Sequence, residues 1–212
     1  MSLPKVILAD DHTLVTEALS KLTANHIDVV AAVADGRALL EIAPTLKPDV
    51  VVLDIAMPLL NGLDAARELR KRVPGVKLIF LTMNDDPDLA AEAMNLGASG
   101  YLLKRSAGSE LLDAIQEAIR GRTYVTPEIA RRMEQNFMRN PFGTKRERAL
   151  TPRQREVIQL LAEGKPMKIV ADILQVAPRT VAFHKYRLMQ DLGLRTNAEL
   201  VQYAIRNHII AE

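Results

Sequence analysis

The stretch "KVILADDHTLVTEALSKLTAN", residues 5–25, joins an apolar run to a segment with helical periodicity. The run from Val6 to Ala9 is continuously apolar, as in a strand that is covered on both faces. Asp10 and Asp11 follow it directly. Adjacent carboxylates at the end of a buried strand repel each other, so either a cation lies beside them or the pair forms a solvated turn. These residues alone leave both interpretations open.

The same strand-then-helix pattern recurs four more times before residue 122. The further apolar runs are 27–33, 48–54, 76–82 and 100–104, and each precedes a segment with helical periodicity. Continuous apolar strands that alternate with amphipathic helices are typical of a parallel sheet with helices on both faces. We therefore predict an α/β domain over residues 1–121.

After Arg120 the strand-like runs stop and the pattern becomes helical. A helix is predicted over 125–140, with Thr126 as its N-cap and Pro127 in its first position. The segment 141–149 is basic and broken by Pro and Gly, so we interpret 122–147 as a linker helix and a basic linker. Four short helical patterns follow in an all-α domain over 148–212: 152–162, 166–175, 178–191 and 197–208. The second and third have helix-turn-helix spacing.

Charge is distributed unevenly along the chain. Residues 1–120 carry 12 Lys and Arg against 17 Asp and Glu, whereas residues 121–212 carry 16 against 9. An acidic first half and a basic second half indicate two domains, the second suited to an anionic polymer. Cysteine is absent, which excludes disulfides and thiolate metal sites and fits a reducing cytoplasm. No apolar stretch is long enough for a membrane span and no signal peptide is recognisable, so we expect a cytoplasmic protein without a membrane partner.

Polar side chains end several of the predicted strands, and they should meet at one edge of the sheet. They are Asp10, Asp11, Asp54, Thr82 and Lys104. Each alone is compatible with a helix cap, a turn or a solvated strand end. Together, three carboxylates suit Mg²⁺, and a carboxylate can attack phosphorus to form an acyl phosphate. Asp54 ends the most apolar strand and is our candidate nucleophile, with Thr82 and Lys104 placed to contact phosphoryl oxygens.

Residues 5–121 resemble a response-regulator receiver domain. The resemblance is carried by "ADDH" (9–12), "DIAMPLLNG" (54–62), "LT" (81–82) and "LGASGYLLK" (96–104). It implies a flavodoxin-like (βα)5 fold and phosphoryl transfer from a sensor histidine kinase to Asp54. It also implies Mg²⁺ bound by Asp10, Asp11, Asp54 and the carbonyl of Ala56. The chain would catalyse only its own phosphorylation and hydrolysis at Asp54.

The same resemblance implies that Thr82 and Tyr101 form a switch pair and that Lys104 contacts the phosphoryl group. Phosphorylation adds negative charge and strong acceptors. Thr82 would then donate to one oxygen and vacate space for Tyr101 to rotate inward. The alternative for Tyr101 is a half-exposed aromatic residue on a strand.

The basic half resembles a LuxR-type DNA-binding domain. The resemblance is carried by "LTPRQREVIQLLAEG" (150–164), "RTVAFHKYRLMQDLGL" (179–194) and "RTNAEL" (195–200). With the first half it makes the chain similar to a NarL/FixJ-type response regulator along nearly its whole length. This implies a homodimer, with contacts around 197–208, that binds double-stranded promoter DNA when activated.

In the predicted recognition helix, Val181, His184 and Leu188 share one face and should pack inward, which leaves the opposite face for the major groove. The candidate DNA-contacting residues are Lys168, Arg179, Thr180, Ala182, Phe183, Lys185, Tyr186 and Arg187. The aromatic pair Phe183 and Tyr186 is also compatible with packing on a neighbouring helix.

Several positions depart from the LuxR-type pattern. Ala182 stands where the family usually has Lys, Ala177 and Ile169 replace the frequent Ser and Glu, and Gln154 replaces a Glu. These departures keep open a regulator whose output half binds protein rather than DNA. A third hypothesis is a small phosphatase with an aspartyl-phosphate intermediate. It is disfavoured because Ala56 stands where such an enzyme needs a second acid.

Overall fold

The N-terminal domain is built on a single parallel sheet. The computed structural model describes residues 2–139 and 150–210, so the predicted basic linker 141–149 lies outside the described residues. The strands are β1 (Lys5–Ala9), β2 (Asp28–Val33), β3 (Val50–Leu53), β4 (Lys77–Thr82), β5 (Gly100–Leu103) and β6 (Tyr124–Val125). They are ordered β2-β1-β3-β4-β5-β6, which confirms the predicted doubly wound architecture.

Five helices cover the two faces of this sheet, as the alternating pattern predicted. They are α1 (Thr13–Thr23), α2 (Gly36–Leu46), α3 (Gly62–Arg72), α4 (Pro87–Asn95) and α5 (Ala107–Ile119). Along β1, Ile7 and Ala9 pack against α2, α3 and α4 on one face. Val6 and Leu8 pack against α1 and α5 on the other. Both faces of the central strands are therefore buried, which explains why their sequences are continuously apolar.

A sixth strand and one further helix extend this domain. The expectation that strands stop after Arg120 was wrong, because Tyr124 and Val125 form β6 and pair in parallel with Gly100 and Tyr101 of β5. The predicted linker helix is α6 (Pro127–Arg139). Its Ile129 is fully buried in the same core as α4 and Tyr101. Residues 122–139 are thus packed on the N-terminal domain.

The C-terminal domain consists of four helices at the predicted positions. They are α7 (Pro152–Ala162), α8 (Met167–Leu174), α9 (Pro178–Asp191) and α10 (Asn197–Arg206). Thr151 and Gln154 form a capping box at the start of α7, which satisfies two otherwise unpaired N–H groups. Val157, Leu160 and Val181 form one small core, and Ile158, Leu188 and Leu200 belong to a second. No helix in the described part of the chain combines the length and hydropathy needed to cross a bilayer.

Candidate functional site

The five predicted strand-end residues lie around the carboxyl edge of the sheet, and the best-defined contacts join Lys104 to two acids. The Lys104 ammonium lies 2.8 Å from Asp54 Oδ2 and 2.8 Å from Asp10 Oδ2. All three side chains are almost fully buried. Burial alone would lower the pKa of Lys104, but hydrogen bonds to Asp10 and Asp54 outweigh it and raise that pKa. The Lys104 ammonium therefore neutralises Asp10 and Asp54, two of the acids that the sequence predicts to bind Mg²⁺.

A ring of potential metal ligands surrounds the same point. Ligand atoms of Asp10, Asp11, His12 and Asp54 all lie within 4.8 Å of one another. The hydrogen bond from Lys104 to Asp10 goes to Oδ1 at 2.9 Å, so the buried Oδ2 has only its ionic contact with the ammonium and accepts no hydrogen bond. A buried carboxylate oxygen with unused acceptor capacity is suited to a hard cation. The cluster is thus compatible with Mg²⁺.

His12 belongs to this cluster, although the sequence pattern assigned it no role. Its Nδ1 lies 3.0 Å from Asp10 Oδ1 and 2.9 Å from Asp11 Oδ1. It is also 3.3 Å from the Lys104 ammonium. The only signal in the sequence was its position directly after the acid pair. This nitrogen therefore lies between the two carboxylates and the ammonium, which makes His12 a further candidate ligand in the cluster.

The loop between β3 and α3, which we call the Asp54 loop (residues 54–61), sets the geometry of the candidate nucleophile. Asp54 Oδ1 accepts hydrogen bonds from the N–H of Ile55 at 2.6 Å and of Ala56 at 3.4 Å. Gly62 begins α3 so close to this loop that a Cβ there would lie 2.0 Å from the Asp54 carbonyl oxygen. Asn61 caps α3 by accepting from the N–H of Asp64 at 2.9 Å. The Asp54 loop is therefore tightly constrained.

The two predicted switch residues meet at the loop between β4 and α4. Thr82 is buried, and its hydroxyl accepts from the N–H of Asn84 at 3.2 Å. Tyr101 is completely buried, and its hydroxyl donates to the Asn84 carbonyl at 2.9 Å. Burial, helped by the negative charges of Asp86 and Asp54, raises the pKa of the Tyr101 phenol. The half-exposed alternative for Tyr101 is wrong in this structure, because its ring already points inward.

The predicted DNA-facing side of α9 is open to solvent. Phe183 and Tyr186 are 57% and 62% exposed, so they do not pack on a neighbouring helix. Lys168, Arg179 and Arg187 are exposed as well, whereas Thr180, Ala182 and Lys185 are half-buried. Val181 and Leu188 are buried as predicted, with His184 half-buried between them along the helix. Ala177 stands at the N-cap without a side-chain hydrogen bond.

The C-terminal domain contacts both the Asp54 loop and the β4–α4 loop, which the sequence did not predict. Gln159 of α7 donates from Nε2 to the Met57 carbonyl at 2.9 Å and accepts at Oε1 from the N–H of Asn61 at 2.9 Å. After α10, His208 Nε2 lies 2.9 Å from Asp86 Oδ2 in the β4–α4 loop. We call this set of contacts the interdomain interface.

Charged side chains extend the interdomain interface along α3 and α4. The Arg155 guanidinium of α7 lies 3.6 Å from Asp64 of α3 and 3.8 Å from Glu92 of α4. Arg67 pairs with the same two carboxylates. Arg37 of α2 pairs with Glu156 of α7 at 3.1 Å. The two domains are thus joined by buried or partly buried ion pairs as well as by hydrogen bonds.

Comparisons with known proteins match both domains. Residues 6–116 match the family described as "Response regulator receiver domain", and residues 148–204 match "Bacterial regulatory proteins, luxR family". The chain is 33% identical to the "Oxygen regulatory protein NreC" of Staphylococcus aureus over 219 residues, covering 97% of this chain and 99% of the relative.

Solved structures of similar proteins span almost the full length. The RcsB response regulator of Salmonella typhimurium is 26% identical, with a TM-score of 0.66, covering 96% of this chain and 97% of RcsB. A structure of two RcsB dimers bound to two parallel DNAs is 26% identical with a TM-score of 0.60, covering 95% and 98% of the two chains. The sequence resemblances of both halves are thereby confirmed.

Proposed function

This chain belongs to the response regulators that join a receiver domain to a LuxR-type DNA-binding domain, and from that premise we propose how it is switched. Asp54 accepts a phosphoryl group from a sensor histidine kinase, and the phosphorylated chain binds promoter DNA as a homodimer. One observation carries this proposal. At the carboxyl edge of the sheet, the Lys104 ammonium lies 2.8 Å from a carboxylate oxygen of Asp54 and 2.8 Å from one of Asp10. Both proposed partners would meet the chain in the cytoplasm.

The phosphoryl transfer is a displacement at phosphorus. A carboxylate oxygen of Asp54 forms the new bond to phosphorus while the bond to the kinase imidazole nitrogen breaks and its electron pair stays on that nitrogen. Lys104 and the Thr82 hydroxyl contact the phosphoryl oxygens. Asp10, Asp11, Asp54 and the Ala56 carbonyl would hold Mg²⁺, which supplies positive charge to those oxygens.

External substrates are not expected to turn over at this site. The position two residues after Asp54 is Ala56, so no second carboxylic acid follows the nucleophile in the Asp54 loop to act as general acid or base. The chain then acts as its own phosphoacceptor. This sets it apart from a phosphatase with an aspartyl-phosphate intermediate.

Asn84 links the proposed phosphoryl contact to the rest of the molecule. Thr82 accepts from the Asn84 N–H, while Tyr101 donates to the Asn84 carbonyl. When the Thr82 hydroxyl turns toward a phosphoryl oxygen, it weakens its contact with that N–H, and the β4–α4 loop shifts. Because Tyr101 is already inward, the signal passes through the Asn84 backbone without requiring the inward rotation expected from the sequence.

DNA is the output partner that the comparisons favour over a protein. The LuxR-family match covers residues 148–204, and RcsB has been solved as dimers on DNA. The exposed side of α9 offers Arg179 and Arg187 for phosphates, with Phe183 and Tyr186 beside them for thymine methyls or sugars. Lys168 and the half-buried Lys185 add cations at its margin.

The proposal is tested by phosphorylation followed by DNA binding. The purified chain is incubated with radiolabelled acetyl phosphate and Mg²⁺, and acid-stable and hydroxylamine-sensitive label is measured. We expect label on the parent chain and on Asp113→Asn, whose carboxylate is exposed on α5, but none on Asp54→Asn. Equal labelling of Asp54→Asn would refute the assignment of Asp54 as the nucleophile.

The second step is DNA binding. In gel shifts, the labelled parent should bind a palindromic promoter site more tightly than the unlabelled chain, and affinity should fall steeply with salt.

A further inference from the structure

The exposed side of α9 carries two aromatic rings at its centre. This side is formed by residues at intervals of four, three and four positions, which places them on one face of the helix: Arg179, Phe183, Tyr186 and Gln190. Arg179 lies in the first turn and Gln190 in the last. The middle of the face is therefore occupied by Phe183 and Tyr186, which we call the aromatic stripe, and both of its side chains are exposed over more than half of their surface.

Exposed apolar side chains of the C-terminal domain are concentrated on its helix-turn-helix. Within the described residues 150–210, the large apolar side chains that are exposed are Ile169 of α8 and Phe183 and Tyr186 of α9. A ring left in water forgoes the free energy that its burial would supply. Two neighbouring exposed rings with charged residues around them are typical of a binding surface. The aromatic stripe is therefore a contact surface on the helix that is expected to meet DNA.

Cations border both rings. The Arg187 guanidinium carbon lies 5.9 Å from the centroid of the Phe183 ring, and the Lys185 ammonium nitrogen lies 5.8 Å from the centroid of the Tyr186 ring. Both distances lie within the range of cation–π contacts. With Arg179 at the start of the face, positive charge flanks an apolar centre. This arrangement is complementary to duplex DNA, where phosphates border a groove that contains base methyl groups.

The bases differ in what their major-groove edges offer to the aromatic stripe. Guanine, adenine and cytosine are recognised there by hydrogen-bonding groups, whereas thymine also presents its C5-methyl group. The Phe183 ring and the neighbouring methyl group of Ala182 can neither donate nor accept a conventional hydrogen bond. Tyr186 offers a single hydroxyl at the tip of an apolar ring. Among the features that distinguish the bases, the thymine methyl group is therefore the one that suits these side chains best.

We infer that Phe183 and Tyr186 read the C5-methyl groups of thymines in the major groove, so that thymines rather than guanines define the DNA site. This inference rests on the proposed function, and it names the class of base that the recognition helix selects. The cations of α9 contribute affinity through phosphates, and the aromatic stripe contributes the sequence preference. Because 5-methylcytosine carries the same methyl group at the same ring position, it should replace thymine in part.

The test isolates the methyl group from the rest of the base. The full chain, phosphorylated with acetyl phosphate and Mg²⁺, selects its site from random duplex DNA, and we expect thymine to dominate the selected positions. Each of these thymines is then replaced by uracil, which lacks only the methyl group. At contacted positions, affinity in gel shifts should fall about fourfold per methyl group, the size expected for burying one apolar carbon. Cytosine at those positions should weaken binding, and 5-methylcytosine should restore about the same factor.

Variants assign this effect to the two rings. Phe183→Ala and Tyr186→Ala remove exposed side chains, so the fold should be retained, and each should lose the difference between thymine and uracil at its own position. Arg179→Ala should weaken binding to both duplexes alike and keep the ratio of the two affinities. Phe137→Ala makes the same aromatic-to-alanine change at an exposed position of α6. It is the matched control and should bind like the parent.

The outcomes separate this inference from the proposed function. Equal affinity for the thymine and uracil duplexes, or ring variants that keep the parent's ratio, overturns the reading of methyl groups and leaves the proposed function in place. Ring variants that bind DNA like the parent, as they would if the aromatic stripe contacted a protein, overturn it as well. If the phosphorylated parent selects no DNA, the proposed function fails and the inference fails with it. Loss of the thymine preference in the ring variants, with both other variants keeping it, supports both proposals.

Discussion

Asp86 and His208 form the contact that ties the β4–α4 loop of the receiver to the end of the DNA-binding domain. His208 Nε2 lies 2.9 Å from Asp86 Oδ2, and Asn84 Nδ2 lies 3.0 Å from His208 Nδ1. The bond to Asp86 raises the pKa of His208, and the bond to His208 lowers the pKa of Asp86. The Asn84 amide can donate to the neutral imidazole, whereas the Asp86 carboxylate stabilises the imidazolium. Because the carboxylate carries a full charge, we expect it to have the larger effect on the pKa of His208.

Interdomain docking should therefore depend on pH. The imidazolium contribution is complete below the ordinary His208 pKa of 6.5 and is lost as the pH rises through the raised pKa. The Asp86 contribution is present above the ordinary carboxyl pKa of 3.8 and is lost as the pH falls through the lowered value. Docking should thus be tightest between those two transitions. Both groups are partly exposed, so we expect an effect of only about 0.5 kcal/mol.

The distance between two spin labels, attached at Glu41→Cys in the receiver and Gln190→Cys in the DNA-binding domain, checks this expectation from pH 5.5 to pH 9. Both positions are exposed, and the natural chain has no cysteine. The parent should populate the docked distance less at the alkaline end, and His208→Gln should be insensitive to pH over this range. His26→Gln, at an exposed position in the receiver, should behave like the parent. A pH response that persists in His208→Gln would assign the titration to another group.

Replacing Lys104 should change metal binding and phosphorylation in opposite directions. In Lys104→Gln, Asp10 and Asp54 lose the ammonium that now bridges them. Mg²⁺ then no longer competes with a built-in cation, and we expect its affinity to rise about tenfold, or about 1.4 kcal/mol. Labelling by acetyl phosphate should nevertheless fall, because the proposed contact with the phosphoryl group is lost.

Calorimetric titration with Mg²⁺ and the labelling assay supply the two readouts. Lys21→Gln removes a cation from an exposed position on α1 and should leave both unchanged. If Lys104→Gln bound Mg²⁺ no better than the parent, the ammonium would not be occupying the cation position.

The sequence predicted that the acids and Lys104 lie together, because these residues mark the ends of strands. Asp10, Asp54 and Thr82 each follow or close a continuous apolar run, and a parallel sheet brings such ends together whatever the rest of the packing. The inward face of α9 was equally predictable, since Val181 and Leu188 recur at helical spacing.

The missed features depend on tertiary contacts that local patterns do not encode. β6 has only two residues, and it is a strand because the edge of β5 offers unpaired backbone groups. Gln159 and Arg155 are polar residues of α7, and periodicity alone cannot tell a solvated polar side chain from one that is bound by another domain. The interdomain interface therefore required the structure.

Binding to DNA should depend on Arg179 through phosphates, independently of sequence. Arg179 is exposed in the first turn of α9. If it contacts one phosphate, Arg179→Ala weakens binding to all DNA sequences alike and reduces the slope of log K against log salt by about 0.9. Gel shifts over a salt series on a promoter site and on unrelated DNA measure both quantities. Lys21→Ala makes the same charge change in the receiver and should not alter the slope. A loss confined to one base position would show that Arg179 reads a base.

Two glycine-to-alanine substitutions should have opposite effects on stability. A Cβ on Gly62 would lie 2.0 Å from the Asp54 carbonyl oxygen, whereas a Cβ on Gly108 would meet no atom within 4 Å. Gly62→Ala must push α3 away from the strand end, and we expect it to lower the free energy of unfolding by about 3 kcal/mol. Gly108→Ala in α5 should raise it by about 0.5 kcal/mol, because alanine loses less conformational entropy in a helix. Urea unfolding followed by circular dichroism gives both values.

The same substitution should also affect phosphorylation. Since α3 begins directly after the Asp54 loop, Gly62→Ala should abolish labelling by acetyl phosphate in the fraction that remains folded. A stable, fully labelled Gly62→Ala chain would contradict the expectation that the Asp54 loop must keep its position for phosphorylation.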